Sequence, residues 1–352
     1  MKLTTKSHAK KHLINLSISF CQLKNKGDLA RILGVTPELL EQVATKPDYK
    51  NFKIPKRDGT ERTIEDAQGT LKGLQKKLNT YLQAVYYHHR TKAAYGFVTN
   101  AKSDRVPRNY ISNAQQHYGK PYLLNIDLKD FFHHVTTEQV ERLFQHHPFH
   151  FDEKLAQLIV KLVCYNGRLP MGTHTSPAIS NFAARQLDLD LLTLAERFEW
   201  KYTRYADDMS FSSETAITNA HYKILNTTIQ KRGFLINPKK VKWYEPDDVK
   251  IVTGIVVKAD SLDLTEGYIE DVQADIDKLA QILEVQNLAG SVRTGWVDKY
   301  KKLIQGKLIY IQSVLGKDEK RFINLQTNFK QAQQPPIEDF GTLSWRFFDY
   351  NN

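Results

Sequence analysis

The sequence predicts an α+β fold, and three observations predict it. Through the middle third, short apolar strands alternate with helical segments, as in a layered mixture of helix and sheet. Both flanks carry apolar residues at helical spacing. Asp127, Asp207 and Asp208 fall at the ends or turns of the predicted strands, so any chemistry they share is carried by the sheet.

The N-terminal third reads as helices. Its basic start leads into an apolar run around Leu13 to Phe20 that Asn15, Ser17 and Ser19 interrupt, which does not make a secretory signal. Thr36 before Pro37 is an N-cap followed by proline at the first helical position. Phe52 to Ile64 alternates in the strand sense around Asp58-Gly59, a hairpin signal. Leu71, Leu74, Leu78, Leu82 and Val85 mark one face of a helix. Tyr122 to Ile126 is a short apolar strand ending on Asp127. Lys201 to Tyr205 and Met209 to Ser212 are two strands around a turn at Ala206-Asp207-Asp208, and His221 to Lys231 is helical. One further strand is expected over Lys250 to Val257. Ile269, Val272, Ile276, Leu279 and Leu283 then form one apolar helix face. Helical, basic sequence continues to about Phe329. Gln333 to Pro336 reads as a linker, and Trp345, Phe347, Phe348 and Tyr350 as an aromatic tail that docks on the chain's own core or on a partner.

The 352 residues suit two or three subdomains, and 41% apolar with 25% charged residues is a globular profile. No stretch resembles a membrane span of about 20 apolar residues. Cys21 and Cys164 lack metal-ligand spacing and are expected to be reduced thiols of a cytoplasmic protein. His146, His147 and His150 have no partner at zinc spacing and read as a solvated loop. The net charge of +11 favours polyanionic partners through counterion release.

Adjacent aspartates at a tight turn repel each other unless a cation neutralises them. Hard Mg²⁺ prefers carboxylate oxygens. With a third Asp from a neighbouring strand, the set can hold two metal ions, one activating a 3′-hydroxyl and one holding a triphosphate. Asp127, Asp207 and Asp208 are the candidates for catalysis and for metal binding, with Mg²⁺ expected and Mn²⁺ able to substitute.

Tyr205-Ala-Asp-Asp208 inside an apolar hairpin resembles the polymerase signature of reverse transcriptases. Asn125-Ile-Asp-Leu-Lys-Asp-Phe-Phe132 resembles the first palm motif of that family. Leu169-Pro-Met-Gly-Thr-His-Thr-Ser-Pro-Ala-Ile-Ser-Asn181 resembles the second, and Gly233-Phe-Leu-Ile-Asn-Pro-Lys-Lys240 the fourth. Asn113-Ala-Gln-Gln-His117 and Val252-Thr-Gly254 are similar to two elements of the bacterial retron type, which the chain resembles over about residues 50 to 325. The resemblance implies a right-hand polymerase. Residues 1–48 would be an N-terminal helical extension, and 49–120 the fingers with part of 138–175. Residues 121–264 would be the palm, 265–330 a helical thumb that reads RNA, and 331–352 a tail.

It implies further roles. Lys56 and Arg62 would close over the incoming triphosphate. Phe132, five residues after Asp127, would lie under the sugar and exclude a 2′-hydroxyl, with one of Phe131 and Phe132 turned into the core. Asp130 falls where the family contacts the triphosphate. Met171 departs from the family's glutamine beside the nucleotide sugar, and Gly172 allows close backbone approach. One of Lys239 and Lys240 is a candidate proton donor to pyrophosphate, with Lys240 counted among the nucleotide-binding residues. RNA contacts are expected from Asn113, His117, Val252, Thr253, Gly254, Arg293, Lys302 and Tyr310.

The implied function is an RNA-directed DNA polymerase. It would copy a dedicated structured non-coding RNA, primed from a 2′-hydroxyl of that RNA, into branched RNA-linked DNA. The implied partners are that RNA and its DNA product, deoxynucleotide triphosphates, a separate anti-phage effector protein, and a host ribonuclease H, since about 25 residues after the thumb are too few for that domain. No membrane partner is expected. Alternatives are a diversity-generating or abortive-infection reverse transcriptase, or a non-catalytic RNA-binding scaffold, which loss of a catalytic Asp would have marked.

Overall fold

Caps written in the sequence start the N-terminal helices of the computed structural model, which describes residues 3–55, 59–288 and 295–334. After α1 (Leu3–Cys21), the Asn25 side chain accepts from Asp28 N–H and starts α2 (Lys26–Leu33). Thr36 accepts from Leu39 N–H and starts α3 (Pro37–Thr45). The expected hairpin forms from β1 (Tyr49–Pro55) and β2 (Glu61–Ala67), antiparallel with Phe52 opposite Ile64. Lys56 and Asp58 of its turn lie outside the described residues. Leu71, Leu74, Leu78, Leu82 and Val85 are all buried along α4 (Gly69–His89).

A short α5 (Tyr110–Ala114) and a 3-10 turn lead into β3 (Tyr122–Asp127). Four helices follow: α6 (Thr137–Gln145), α7 (Glu153–Val163), α8 (Ser176–Ala183) and α9 (Arg185–Arg197). Between α6 and α7, His146, His147 and His150 are exposed and Phe149 turns inward. Next come β4 (Lys201–Tyr205), β5 (Asp208–Ser213), α10 (Asn219–Lys231) and β6 (Lys242–Tyr244). The central sheet has the order β4-β5-β3-β6, with every neighbouring pair antiparallel. Strand β5 is buried on both faces, Met209 and Phe211 at 0% exposure on one and Ser210 and Ser212 at 3% and 1% on the other, whereas the edge strand β6 is largely exposed.

The strand expected over Lys250 to Val257 is broken. It yields β7 (Ile251–Val252) and β8 (Ile255–Val257), because Thr253 and Gly254 both adopt positive φ, 50° and 81°. Two consecutive left-handed residues turn the chain out of a ladder. The chain divides into two compact units at this point, Met1–Thr253 and Gly254–Asn352. In the second, β8 pairs with β9 (Leu262–Asp263), followed by α11 (Glu266–Leu288), α12 (Gly295–Leu315) and α13 (Lys320–Gln331). Val272, Ile276 and Leu279 pack with Ile304, Leu308, Phe322 and Leu325 in a core of its own. Among the described residues no helix is long and apolar enough to cross a membrane. The aromatic tail lies outside the described residues.

His117 pins two strands of the central sheet. Its Nδ1 lies 2.7 Å from Ser212 Oγ on β5 and its Nε2 2.7 Å from Thr203 Oγ1 on β4, and the ring is 2% exposed. Burial, with Lys201 nearby, pushes its pKa from 6.5 down to about 3. The folded state therefore binds this proton less readily than the unfolded state. The contribution is fully present above about pH 6.5 and declines as pH falls toward the folded value, by roughly 2 kcal/mol at pH 5. Urea unfolding at pH 7 and pH 5 checks this. The wild type should lose about 2 kcal/mol more than His117→Gln over that interval, and equal losses would remove the histidine from the account.

Candidate active site

Register places the acids. In the β3–β5 pairing Asp127 stands opposite Asp208, and Asn125 opposite Ser210. Asp207 is carried by the turn between β4 and β5, where Ala206 takes a left-handed φ of 59°. Leu128 N–H donates to Asp207 C=O at 3.0 Å, which ties that turn to the end of β3. Burial first, then Asp207 and Asp127, pushes the Asp208 carboxyl up to about 7. Burial and then Asp127 also raise Asp207, against Lys240 and Arg62, which pull it down.

The segment before β6 closes the site from the other side. Asn237 N–H donates to Asp127 C=O at 2.8 Å, and its side-chain amide reaches Asp127 Oδ1 at 3.3 Å. Lys240 Nζ donates to Asp127 Oδ2 at 2.8 Å. Of the two lysines it is Lys240 that reaches Asp127, whereas Lys239 is exposed. Among the described residues no group of three His, Cys, Asp or Glu side chains stands arranged to enclose an ion. The triad as it stands is closed by Lys240. The donor set, all carboxylate oxygens at a crowded and partly buried edge, nevertheless has the chemistry of a hard divalent cation site.

The neighbouring residues fall as follows. Phe131 is 3% exposed and packs on Phe234, at 5.5 Å between ring centroids, whereas Phe132 is half-buried and faces Phe97 at 6.0 Å. Both rings lie in the turn after β3 and not on a strand, so their opposite burial comes from the turn's packing, with Phe132 the more exposed of the two. Asp130 is exposed and left-handed, φ 45°, and its carbonyl accepts from His133 N–H at 2.8 Å. Arg62 is exposed on β2, close enough for its charge to be felt at Asp207. Met171 C=O accepts from Glu65 N–H at 2.7 Å, so the loop before α8 adds to the base of the hairpin. Gly172, φ 115°, lies so close to that hairpin that a Cβ would meet Ile64 Cγ2 at 2.5 Å. Lys56 lies outside the described residues.

Three expected RNA contacts are corrected. Asn113, His117 and Val252 are 1%, 2% and 0% exposed, so none offers a side chain to RNA. His117 is spent on Ser212 and Thr203, and Asn113 sits one turn before it. Thr253 Oγ1 reaches Tyr110 C=O at 3.5 Å, and Gly254 is left-handed. These residues shape the end of the first unit and the start of the second. In the second unit Lys302 is exposed, and Tyr310 packs edge-on against Tyr268 at 5.4 Å. Arg293 lies outside the described residues.

The sequence reading missed a buried ion pair beneath the acidic turn. Arg204, 0% exposed, sends Nε and Nη2 to the two oxygens of Asp188, each at 2.7 Å. Thr91 and Tyr202 hydroxyls complete that carboxylate at 2.9 and 3.0 Å. A signal was present. Asp188 sits on the same helix face as Leu191 and Ala195, both buried, and Arg204 interrupts an otherwise buried strand. A charge in each of two buried faces asks for a partner.

Comparison with known proteins agrees with this architecture. The family described as "Reverse transcriptase (RNA-dependent DNA polymerase)" matches residues 54–263. The retron Ec73 reverse transcriptase of Escherichia coli is 35% identical over 244 residues, covering 63% of this chain and 73% of that protein. The retron Ec86 reverse transcriptase of Escherichia coli is 26% identical over 316 residues, covering 86% and 88%. The retron Mx162 reverse transcriptase of Myxococcus xanthus is 31% identical over 274 residues, 68% of this chain but only 54% of that protein's length. A Candida albicans telomerase structure aligns over 83% of this chain at 10% identity and a TM-score of 0.41, too low to carry the assignment. The family match over more than half of the chain, with the retron relatives beside it, shows that the chain belongs to the reverse transcriptase (RNA-dependent DNA polymerase) family, in its bacterial retron type.

Proposed function

We propose that the chain is an RNA-directed DNA polymerase that copies a dedicated structured RNA into single-stranded DNA, with Asp127, Asp207 and Asp208 as its catalytic carboxylates. The observation that carries this reading is the register of β3 against β5, which brings Asp127 to Asp208 beside Asp207 in a family-matched polymerase segment. Asp127, Asp207 and Asp208 crowd their carboxylates at one strand edge, a donor set that suits a divalent ion. Reverse transcriptases as a family use divalent ions, and Mg²⁺ is our choice on donor chemistry, with Mn²⁺ as substitute. Bound there, such ions supply the activation of a 3′-hydroxyl and the neutralisation of a triphosphate.

The chain's own groups do the rest. Arg62 and Lys56 of the hairpin hold the triphosphate, and Asp130 presents its left-handed backbone beside it. Phe132 carries the sugar on its ring, and Met171 with Gly172 bounds the sugar from the side. Lys240 holds Asp127, and we assign to it the proton given to departing pyrophosphate. We assign RNA recognition to the second unit, through Lys302 and Tyr310, with Arg293 carried over from the sequence reading. The retron resemblance extends the proposal. It adds a branched RNA–DNA product, template removal by a host ribonuclease H, a cytoplasmic setting, and phage defence with a separate effector.

Replacing both Asp207 and Asp208 by Asn keeps their size and removes the anionic oxygens. Extension of a primer on an RNA template should fall by several orders of magnitude, while RNA binding in a gel-shift assay stays near wild type. Extension at the wild-type rate by this variant would refute the catalytic assignment.

Phe132→Ala should open space beneath C2′ and admit ribonucleotides. Single-nucleotide addition of ribo- and deoxynucleotides at matched concentrations gives the ratio. A rise in ribonucleotide use of about tenfold or more is expected, whereas an unchanged ratio assigns the gate to another residue.

A further inference from the structure

The acidic turn is clamped from below. Arg204 lies directly before Tyr205-Ala-Asp-Asp208, and its guanidinium does more than pair with Asp188. Its Nη1 donates to Asn181 Oδ1 at 3.0 Å and to Ala206 C=O at 2.9 Å. The same cation therefore holds a carboxylate from α9, an amide from α8 and the backbone of the turn. Asn181 continues the chain of contacts: its Nδ2 donates to Gly96 C=O at 3.0 Å and to Phe97 C=O at 3.3 Å. Gly96 is pressed onto the turn itself, since a Cβ there would lie 2.5 Å from Ala206 N. The Arg204 backbone is held as well, its N–H donating to Ala93 C=O and its C=O accepting from Tyr95 N–H, both at 2.8 Å.

What is clamped is a strained conformation. Ala206 sits at φ 59°, a region that costs a residue with a Cβ and that persists only where surroundings over-determine it. The conformation of Ala206 sets the direction in which the next two residues leave the turn, and these are Asp207 and Asp208. Arg204 is also 5.7 Å from the centre of the Phe131 ring, the buried neighbour of Phe132.

We propose that Arg204, seated on Asp188 and braced by Asn181, is a positioning residue that fixes the left-handed turn at Ala206 and so aims Asp207 and Asp208. The proposal rests on the polymerase reading for its kinetic consequence only. Lysine in place of Arg204 can keep the charge opposite Asp188, but a single ammonium cannot span Asp188, Asn181 and Ala206 in one plane as the guanidinium fork does. A displacement of the carboxylates by a fraction of an ångström should reach the rate of chemistry and leave the affinity for nucleotide alone.

The experiment compares wild type, Arg204→Lys, Asn181→Ala and a control, Leu40→Ala, which empties a core position of α3 far along the chain from the turn. All are assayed at a temperature where circular dichroism shows each to be folded. Single-nucleotide addition on a generic primer–template gives the maximal rate and the apparent nucleotide affinity. Electron paramagnetic resonance gives the affinity of each protein for Mn²⁺ without substrate. The expected result is a maximal rate about 10- to 100-fold lower for Arg204→Lys, with nucleotide affinity within about twofold and weaker Mn²⁺ binding. Asn181→Ala should show the same pattern to a smaller degree and covers the case in which Arg204→Lys does not fold. The control should keep its rate and its Mn²⁺ affinity. Wild-type rate and Mn²⁺ affinity in the folded clamp variants would overturn the proposal, as would an equal loss in the control. A wild type that binds Mn²⁺ but adds no nucleotide would instead defeat the polymerase reading, and the Mn²⁺ comparison would still decide the role of Arg204.

Discussion

Mutual repulsion among three carboxylates at one edge of the central sheet is the constraint to which the first unit answers. Antiparallel register fixes Asp127 opposite Asp208, and a slip of one residue would turn Asp127 to the other face. The acids therefore cannot separate without undoing the sheet. Crowding sharpens the conflict: local desolvation, then Asp207 and Asp127, raise the Asp208 carboxyl although its side chain still reaches solvent. The structure meets it with cations at different depths. Lys240 touches Asp127, and Arg62 approaches from the hairpin. Arg204 holds the turn from beneath, with its own charge matched by Asp188. An ion pair of this kind contributes little net stability when intact. Removing one partner strands a buried charge, at a cost of about 3–5 kcal/mol. Asp188 and Arg204 are thus expected to change together or not at all.

The same logic joins the hairpin to the loop before α8. Glu65 is 3% exposed and takes a two-pronged contact from Arg168, at 2.8 and 3.0 Å. The backbone link from Glu65 to Met171 and the contact of Gly172 with Ile64 lie alongside. Along β1, by contrast, Phe52 and Ile54 are 42% and 45% exposed. The hairpin is anchored at its base and open along its outer strand. That division suits an element whose basic end is proposed to close over a nucleotide.

How much of this the sequence disclosed depends on how far apart the partners lie. The three aspartates were legible because each ends or turns a short apolar strand, a local pattern. The helix faces from Leu71 to Val85 and from Val272 to Leu279 were legible for the same reason. Lys240 could not be told from Lys239, because only the phase of the turn after Asn237 decides which amine reaches Asp127. The Thr253-Gly254 break was hidden inside a β-rich run, since nothing about threonine announces a positive φ. His117 and Asn113 were expected to touch RNA because their motif marks a family. Their burial depends on partners 86 and 95 residues away in the case of His117. Arg204 was read as one polar residue of a strand. Its meaning appears only when α8, α9 and the turn are assembled around it.

The central claim is that this acid-edged sheet copies one particular RNA into DNA. It is tested most directly by purifying the protein from its native host and sequencing the nucleic acid that accompanies it, before and after ribonuclease treatment. The account predicts one predominant RNA species joined to a DNA strand complementary to part of it, with the DNA alone surviving ribonuclease. A heterogeneous RNA population with no DNA, carried by protein that is intact and folded, would contradict it.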